Sequence, residues 1–223
     1  MDRYNLKVCD STNDVARQFL ADGVKVPFVV TADEQNRGKG QQNRRWVSEK
    51  GGLYTSFAIE KIDPRKALVS GALSVHSVVS GYVPSIIRFP NDIIVNGLKI
   101  AGVLVEQTVH ATIIGIGINV NQNCFPDELA GVATSLSMET GAVYNLSEIM
   151  SRLLGFMKDS LSSPYEHIFN KYMQSIFYGK GCTIHLSGDR RIKCRIERID
   201  MDLNVHTTSG DFAFEDIVWI ESA

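Results

Sequence analysis

The sequence predicts an α+β protein, with helices packed on a sheet followed by a compact β unit. Helical and strand-like periods alternate through residues 1–178, whereas from residue 179 onward short segments alternate apolar and polar residues between turn signals. We therefore expect one domain over residues 1–178 and a second over residues 179–223. A chain of 223 residues with 44% hydrophobic content is long enough to bury a full core and a small second one.

Local signals define the helices and the first strands. The segment Ser11–Gly23 begins with a hydroxyl-rich cap, carries apolar residues at helical spacing and ends at a glycine, which predicts a helix capped by Ser11. The same spacing predicts three more helices, over Lys66–Tyr82, Asn145–Leu161 and Pro164–Tyr178. The β-rich runs PFVVTAD and LYTSFAIE predict strands on either side of a long loop.

Residues 86–107 contain the clearest strand signal. Two β-branched runs flank Asn96 and Gly97, the pair that a type I′ hairpin turn prefers because both positions need a positive φ angle. Pro90, followed by Asn91 and Asp92, interrupts the first run. This interruption predicts either a simple turn or a bulge that exposes an amide and a carboxylate, which are hard ligands suited to a magnesium-nucleotide.

Two further regions carry strand signals, one interrupted by glycines and one made of short alternating runs. The run TIIGIGINVN contains Gly115 and Gly117, and glycine inside a strand commonly allows another group to approach the backbone closely. Beyond Gly179, the runs CTIHL, RIKCRIERI, LNVHTT and DFAFEDIVWI predict short antiparallel strands.

Composition narrows the function classes. The net charge of −2 and the pI near 6.2 give no global attraction to nucleic acid or to an anionic membrane, so anion binding must be local. The sequence shows neither a long apolar run nor a signal-peptide pattern, and a cytoplasmic location is expected. Four widely spaced cysteines without a CxxC pair argue against a zinc site and a disulfide framework.

One loop concentrates the positive charge. Residues 31–52, TADEQNRGKGQQNRRWVSEKGG, combine Gly38 and Gly40, which permit unusual backbone conformations and a concave anion site, with Trp46 and four basic residues: Arg37, Lys39, Arg44 and Arg45. Trp46 is expected to pack on the core or on a ligand. The alternative is a solvated, mobile surface loop. The spacing fits neither a Walker loop nor a dinucleotide fingerprint.

Lys99 follows the hairpin turn, and its sequence context leaves two interpretations open. It is either an edge-strand lysine directed at water or a cation directed at a bound anion.

The ordered motifs STN, EQNRGKGQQNRRW with GGLYTSF, RFPNDIIVNGLKIAGVLVEQ and IIGIGINVN resemble those of the biotin protein ligases. These enzymes activate biotin as its adenylate and attach it to a carboxylase lysine. The resemblance covers essentially the whole chain. It implies a mixed sheet with flanking helices, related to class II aminoacyl-tRNA synthetases and lipoate ligases, and a small C-terminal SH3-like β-barrel.

The resemblance also implies roles for individual residues. Those expected to bind biotin are Ser11, Thr12, Asn13, Gln35, Gly38, Lys39 and Gly102. Those expected to bind ATP or the adenylate are Gly38, Gly40, Gln41, Arg44, Trp46, Asn91, Asp92, Lys99 and Asn119. Lys99, Lys39 and Asp92 are the expected catalytic residues, with Asp92 as the candidate base for the carrier lysine and as a ligand of Mg²⁺. The loop over residues 36–46 is expected to become ordered when biotin and ATP bind.

The chain departs from the family pattern in two places. Gln41, Gln42 and Asn43 stand where an arginine or a glycine is common, and Arg88 and Phe89 replace the usual Lys-Trp before PND. Arginine is not a neutral replacement for lysine, because its planar fork needs different partners.

The resemblance implies partners, and rival functions stay open. The expected partner is a biotin carboxyl carrier domain, and a homodimer is left open. No DNA binding is expected, because only ten residues precede Ser11. The rivals are lipoate or octanoate transfer, a non-catalytic biotin or nucleotide binder, and a scaffold that acts through the C-terminal β unit.

Overall fold

Seven strands form one mixed sheet in the computed structural model, which describes residues 1–176 and 181–222. In chain order the strands are β1 (Asp2–Cys9), β2 (Phe28–Gln35), β3 (Leu53–Glu60), β4 (Ile86–Arg88), β5 (Asp92–Val95), β6 (Leu98–Gln107) and β7 (Ala111–Ile118). Their spatial order is β1-β2-β3-β7-β6-β5-β4. β1 runs parallel to β2, and the other neighbours pair antiparallel, which makes the sheet mixed as the resemblance implied.

Helices cover both faces of this sheet. They are α1 (Thr12–Ala21), α2 (Pro64–Val79), α3 (Leu136–Thr140), α4 (Leu146–Ser162) and α5 (Tyr165–Ser175). Alternate residues of the strands face opposite sides: Val29 and Phe57 belong to the large core with α2, whereas Val30 and Ala58 pack with Ala16 of α1. β3 is therefore buried at every position except its last.

The four predicted helices are present, with some differences in detail. Ser11 precedes α1 as its cap residue, but its side chain makes no capping hydrogen bond. The predicted end of the last helix, Tyr178, lies outside the described residues, as does the proposed domain boundary at residues 178 and 179. The sequence did not predict α3 or β1, because α3 is short and β1 is an edge strand with no fully buried position.

The hairpin turn is confirmed, and the bulge before it is wrong. Asn96 and Gly97 both have positive φ angles, 49° and 83°. Residues 89–91 form a turn between β4 and β5, so that Arg88 pairs with Asp92 across the hairpin. Asn91 and Asp92 are buried rather than exposed, because this turn folds inward against β6.

Six short strands follow residue 180: β8 (Cys182–Leu186), β9 (Arg191–Cys194), β10 (Ile196–Ile199), β11 (Val205–Thr207), β12 (Gly210–Phe212) and β13 (Ile217–Ser222). The predicted strands are confirmed. They pair into two three-stranded antiparallel sheets, β13-β8-β9 and β10-β11-β12, and the described pairings do not form a closed barrel. A hydrogen bond of 3.3 Å from Ile220 N to Phe89 O joins β13 to the turn between β4 and β5.

In the part of the chain that the structure describes, no helix is both long enough and apolar enough to cross a membrane.

Close packing of α2 on the sheet generates a stability prediction. A Cβ atom at Gly71 would lie 2.8 Å from Val103 Cγ1, a stiff and buried neighbour. We expect Gly71→Ala to lower the free energy of unfolding by about 1–2 kcal/mol, since overpacking outweighs the gain in helix propensity. Urea denaturation followed by circular dichroism measures the change. Gly155→Ala in α4 is the control: it has open space and should be neutral or stabilising by up to about 1 kcal/mol. Equal effects of the two substitutions would contradict the packing argument.

Candidate functional site

A cavity of about 450 Å³ opens between the mixed sheet, the basic loop and β13. Almost all of the residues predicted to form a site line it: Ser11, Thr12, Asn13, Gln35, Lys39, Gly40, Gln41, Arg44, Trp46, Asn91, Asp92, Lys99, Gly102 and Asn119. Gly38 is the exception, because it is buried inside the loop rather than in the cavity wall. The tertiary structure thus brings together residues that lie more than a hundred positions apart in the chain.

Neutral hydrogen-bonding groups occupy one end of the cavity, at the start of α1. Ser11, Thr12 and Asn13 are buried there. Thr12 donates to Gln35 Oε1 from its backbone N at 2.8 Å and from its hydroxyl at 3.2 Å. Gln35 Nε2 in turn donates to Ser48 Oγ at 2.8 Å. These bonds fix the orientation of the Gln35 amide, so that Ser11, Thr12, Asn13 and Gln35 present neutral polar groups to the cavity.

Side chains behind this polar end, which the sequence did not predict, support it by hydrogen bonds to Thr12 and Asn13. Ser56 Oγ on β3 lies 2.7 Å from Thr12 Oγ1 and 2.5 Å from Asn13 Oδ1. Asn13 Nδ2 donates to Glu106 Oε2 at 2.8 Å. Gly115 lies under Asn13, where a Cβ atom would collide with the Asn13 amide. The sequence signal for Ser56 was weak, since it stands beside another hydroxyl residue, Thr55, in a β-rich run.

Backbone hydrogen bonds fold the basic loop over the cavity. Trp46 N donates to Gly38 O at 2.8 Å, and Gly40 N donates to Arg44 O at 2.7 Å. The sequence predicted an unusual backbone conformation at Gly38 and Gly40, but in residues 36–46 the residue with a left-handed conformation is Gln42, with φ of 53°. Gly38 is needed for space instead, since a Cβ atom there would collide with Trp46 O and Ser48 Oγ.

Trp46 packs on the backbone of the sheet. Gly102 of β6 and Gly117 of β7 pair across the strands, and the indole lies against both. A Cβ atom at Gly117 would come within 2.5 Å of Trp46 Cε2. The close approach predicted at the strand glycines is therefore confirmed, and the approaching groups are Trp46 and Asn13. The indole Nε1 is buried without a hydrogen-bond partner among the described residues.

A carboxylate held between two cations lies at the other end of the cavity. Lys99 Nζ is 2.5 Å from Asp92 Oδ1, and Arg88 Nη2 is 2.7 Å from Asp92 Oδ2. Burial raises the pKa of Asp92, but the charges of Lys99 and Arg88 outweigh it and hold the pKa below its ordinary value. Asp92 is therefore an anion that neutralises one of the two cations, and the cluster keeps a net positive charge.

Further positive charge comes from the loop. Lys39 Nζ lies 2.5 Å from Asp14 Oδ1, in a pair that is about 40% exposed at both side chains. Arg44 and Arg45 also line the cavity, and neither has a salt bridge within the described ranges 1–176 and 181–222. The cavity wall can thus attract an anion in spite of the negative net charge of the chain.

The contacts do not favour Asp92 as a magnesium ligand. Both of its oxygens face cations, which compete with a metal ion for the same lone pairs. The described residues also contain no group of three or more His, Cys, Asp or Glu side chains that could hold a metal. The magnesium site stays a prediction of the sequence that this arrangement does not fit.

The two predicted amides make backbone contacts. Asn91 Nδ2 donates to Val103 O at 2.5 Å and fastens the turn before β5 to β6. Asn119 Nδ2 donates to Thr134 O at 3.0 Å, which fixes the segment after β7.

Several other lining residues lacked any motif in the sequence. Phe125, Leu129 and Val132 supply an apolar wall from the segment after β7. Arg88 was noted only as a departure from a family pattern, and Trp219 of β13 not at all. Arg88 begins one of the recognisable motifs, but its contact with Trp219 joins residues too far apart in the chain for a local pattern to predict.

Comparisons with known proteins agree with this arrangement. The model of the biotin/lipoate A/B protein ligase family matches residues 6–123. The chain is 35% identical over 161 residues to the bifunctional ligase/repressor BirA of Bacillus subtilis, which covers 66% of this chain and 50% of that protein. It is 31% identical over 156 residues to the biotin–[acetyl-CoA-carboxylase] ligase of Mycobacterium tuberculosis, which covers 65% and 58%. The chain spans about half the length of the curated relatives that it matches.

Among solved structures, the chain is similar to a biotin protein ligase from Aquifex aeolicus in complex with biotin and ATP. The TM-score is 0.87 at 25% identity, and the match covers 100% of this chain and 99% of the other. A biotin protein ligase from Leishmania major in complex with biotinyl-5-AMP matches with a TM-score of 0.68 at 21% identity, covering 95% and 97%. The second likeness concerns the fold alone.

The ion cluster generates a pH prediction. We expect Asp92→Asn to lower the free energy of unfolding at pH 7 by about 1–3 kcal/mol, because two partly exposed cations lose their partner. The folded-state pKa of Asp92 lies below the unfolded value, so its stabilisation is present above the unfolded pKa and is lost as the pH falls through the folded pKa. The difference between wild type and variant should therefore shrink below about pH 4.

Urea denaturation at a series of pH values between 3 and 7 measures this difference. Asp159→Asn on the exposed side of α4 is the control and should change stability little at any pH. A difference between wild type and Asp92→Asn that stays constant over the whole range would contradict the depressed pKa.

Proposed function

Since the chain belongs to the biotin/lipoate A/B protein ligase family, we propose that it activates biotin with ATP and transfers biotin to a lysine of a biotin carboxyl carrier domain. In the first step, a carboxylate oxygen of biotin attacks the α-phosphorus of ATP, giving biotinyl-5′-AMP and pyrophosphate. In the second step, the lysine amine attacks the acyl carbon, AMP leaves and the amine loses a proton. The observation that carries the proposal is one cavity with a neutral hydrogen-bonding end and a cationic end.

The neutral end suits a cyclic urea. We assign biotin to Ser11, Thr12, Asn13 and Gln35, with Gly38, Lys39 and Gly102 along its path. Support comes from the hydrogen bonds that orient Gln35 and Asn13, since a preorganised set of donors and acceptors loses little entropy when a ligand binds. The uncharged character of this end matches a ligand whose ring carries no net charge.

The cationic end suits the reacting carboxylate and α-phosphate. Two anions must meet, so fixed positive charge has to offset their repulsion and the charge that develops on the α-phosphate. Lys99 and Lys39 are the proposed source of that charge. The remaining proposed ATP contacts are Gly38, Gly40, Gln41, Arg44, Trp46, Asn91 and Asn119. The solved Aquifex aeolicus ligase, described with biotin and ATP, supports ATP as the second substrate.

We propose that Asp92 orients Lys99, in place of the base role that the sequence suggested. A carboxylate whose pKa is held below its ordinary value is a weak proton acceptor for an amine. Its two cation contacts instead fix the Lys99 ammonium near the cavity wall. Magnesium enters this scheme as part of the ATP substrate, because Mg²⁺ in nucleotide sites is commonly held by substrate phosphates and water.

The C-terminal unit has a proposed role in carrier docking. We propose that residues 1–178 form the catalytic domain and residues 179–223 an SH3-like unit, supported by the six short strands and by the contact of β13 with the turn at Phe89. A homodimer, a cytoplasmic location and ligand-dependent ordering of residues 36–46 stay predictions of the sequence.

Carrier modification tests the proposed reaction. After incubation with the protein, biotin and Mg-ATP, mass spectrometry should show a biotin carrier domain that has gained one biotin. Lys99→Ala should reduce the rate by about 10²-fold or more, as loss of one preorganised charge contact typically does. The control Lys158→Ala, at an exposed position of α4, should leave the rate unchanged. A carrier whose acceptor lysine is replaced by arginine should gain nothing.

The same assay separates the rival functions. Modification of a lipoyl carrier domain with lipoate or octanoate, and no modification of the biotin carrier, would overturn the proposal in favour of the lipoate branch of the family. Biotin binding in calorimetry without modification of either carrier would indicate a non-catalytic binder.

Separate assays of the two steps test the role of Asp92. If Asp92 orients Lys99, Asp92→Asn should slow adenylate formation by about tenfold, because misplaced charge weakens transition-state stabilisation. Transfer from preformed biotinyl-5′-AMP should stay within about threefold of wild type, since that step needs no approach of two anions. Asp159→Asn is the control for both steps. Normal adenylate formation with slow transfer would contradict the orienting role and favour the base.

A further inference from the structure

Three side chains form a stack that runs from the C-terminal sheet to the ion cluster. The rings of His185 on β8 and Trp219 on β13 are stacked, with centroids 3.9 Å apart and planes inclined by 13°. On the same indole, Arg88 Cζ lies 4.6 Å from the ring centroid. Arg88 then donates to Asp92, whose other oxygen faces Lys99. Through Arg88 and Asp92, the stack is therefore connected to Lys99, the proposed catalytic lysine.

A bulge in β13 makes this stack possible. Ile217 pairs with Leu186, and Trp219 pairs with His185, the residue that precedes Leu186 in the antiparallel strand β8. Val218 is therefore the extra residue of the bulge. The bulge lets Ile217 and Ile220 both face the core of the C-terminal unit. Trp219 is left on the opposite face together with His185, where it reaches the cavity. Without the bulge, Trp219 would share a face with Ile217.

Neighbouring contacts fix the stack in place. The hydrogen bond from Ile220 N to Phe89 O ties β13 to the residue that follows Arg88. Phe89 packs edge-to-face on Phe214, with ring centroids 6.3 Å apart. His185 Nε2 lies 3.0 Å from Glu221 Oε2. Contacts within the C-terminal unit thus fix the indole on the side opposite Arg88.

Arg88 needs this support because its hydrogen bonding is incomplete. Its Nε is buried and has no hydrogen-bond partner among the described residues, so a single bond to Asp92 would leave the guanidinium free to tilt. The flat face of an indole fits a planar guanidinium, and such contacts contribute about 0.5–2 kcal/mol. A lysine in place of Arg88 could not stack in the same way.

We propose that Trp219 is a positioning residue for the activation step, acting through Arg88 on the Asp92–Lys99 pair. The kinetic part of this inference rests on the proposed ligase function. Trp219 makes the C-terminal unit part of the catalytic machinery rather than only an aid to docking. His185 supports the indole from its far side.

A structural measurement tests the stack without any assay of activity. In the wild type, ring current from the indole should shift the Arg88 Nε–Hε resonance upfield in ¹H–¹⁵N NMR spectra. Trp219→Leu should abolish that shift, and Trp219→Phe should keep part of it. Ile192→Ala, a half-buried change on β9 that does not contact Arg88, is the control for general loosening of the C-terminal unit. An Arg88 resonance that is unchanged in Trp219→Leu would overturn the proposal.

A double-mutant cycle on ATP–pyrophosphate exchange tests the coupling. Trp219→Leu should lower kcat by about 3–30-fold, the range that a contact of this strength allows, while KM for biotin stays within about twofold. Trp219→Phe should restore most of the rate, and Ile192→Ala should leave it unchanged. Because Trp219 acts through Arg88, adding Trp219→Leu to Arg88→Lys should cost no more than about twofold beyond Arg88→Lys alone.

The two measurements separate failure of the inference from failure of the proposed function. Additive effects in the cycle would mean that Trp219 contacts the substrate directly, and this result overturns the proposal although the ligase function stands. If the wild type shows no exchange at all, the ligase function fails, and the NMR result then decides whether Trp219 positions Arg88.

Discussion

The site depends on one buried carboxylate that stays ionised. Burial by itself would favour the neutral form of Asp92, and only the contacts with Lys99 and Arg88 reverse that preference. Three parts of the chain must therefore converge: strand β5 that carries Asp92, strand β6 that carries Lys99, and strand β13 whose Trp219 supports Arg88. If any one of these three parts were displaced, a charged side chain of the cluster would lose a contact at a partly desolvated position.

Glycine residues, which have no side chain, form the floor of the cavity. Gly102 and Gly117 pair across β6 and β7, and Trp46 lies on the backbone that they expose. Gly115 allows Asn13 to approach in the same way. Because Gly115 and Gly117 share a face of β7, one face of the sheet accepts both the loop and the helix terminus without losing strand pairing. This close approach brings the neutral and the cationic end of the cavity within reach of one ligand.

The two departures from the family pattern before PND have partners in the C-terminal unit. Arg88 stacks on Trp219, and Phe89 packs on Phe214. Both replacements are therefore accommodated by aromatic residues that follow residue 210, which gives a physical reason to treat positions 88 and 89 together with β13 and the segment that precedes it. The departures in the basic loop concern the loop itself. Gln42 takes a left-handed backbone conformation, and neighbouring Gln41 lines the cavity.

The sequence alone determined the local structure: the four longer helices, the Asn96-Gly97 turn and the β-rich C-terminal region, because caps, periods and motifs act over a few residues. It also predicted about half of the residues that line the cavity. It did not determine β1, whose polar edge pattern is weak, and it left a turn and an exposing bulge as alternatives where a turn buries Asn91 and Asp92. Only the tertiary structure decided the partners of Asp92, the support of Asn13 by Ser56 and Glu106, and the place of Trp219. These contacts join residues far apart in the chain, and their energies depend on burial and distance, which no local pattern records.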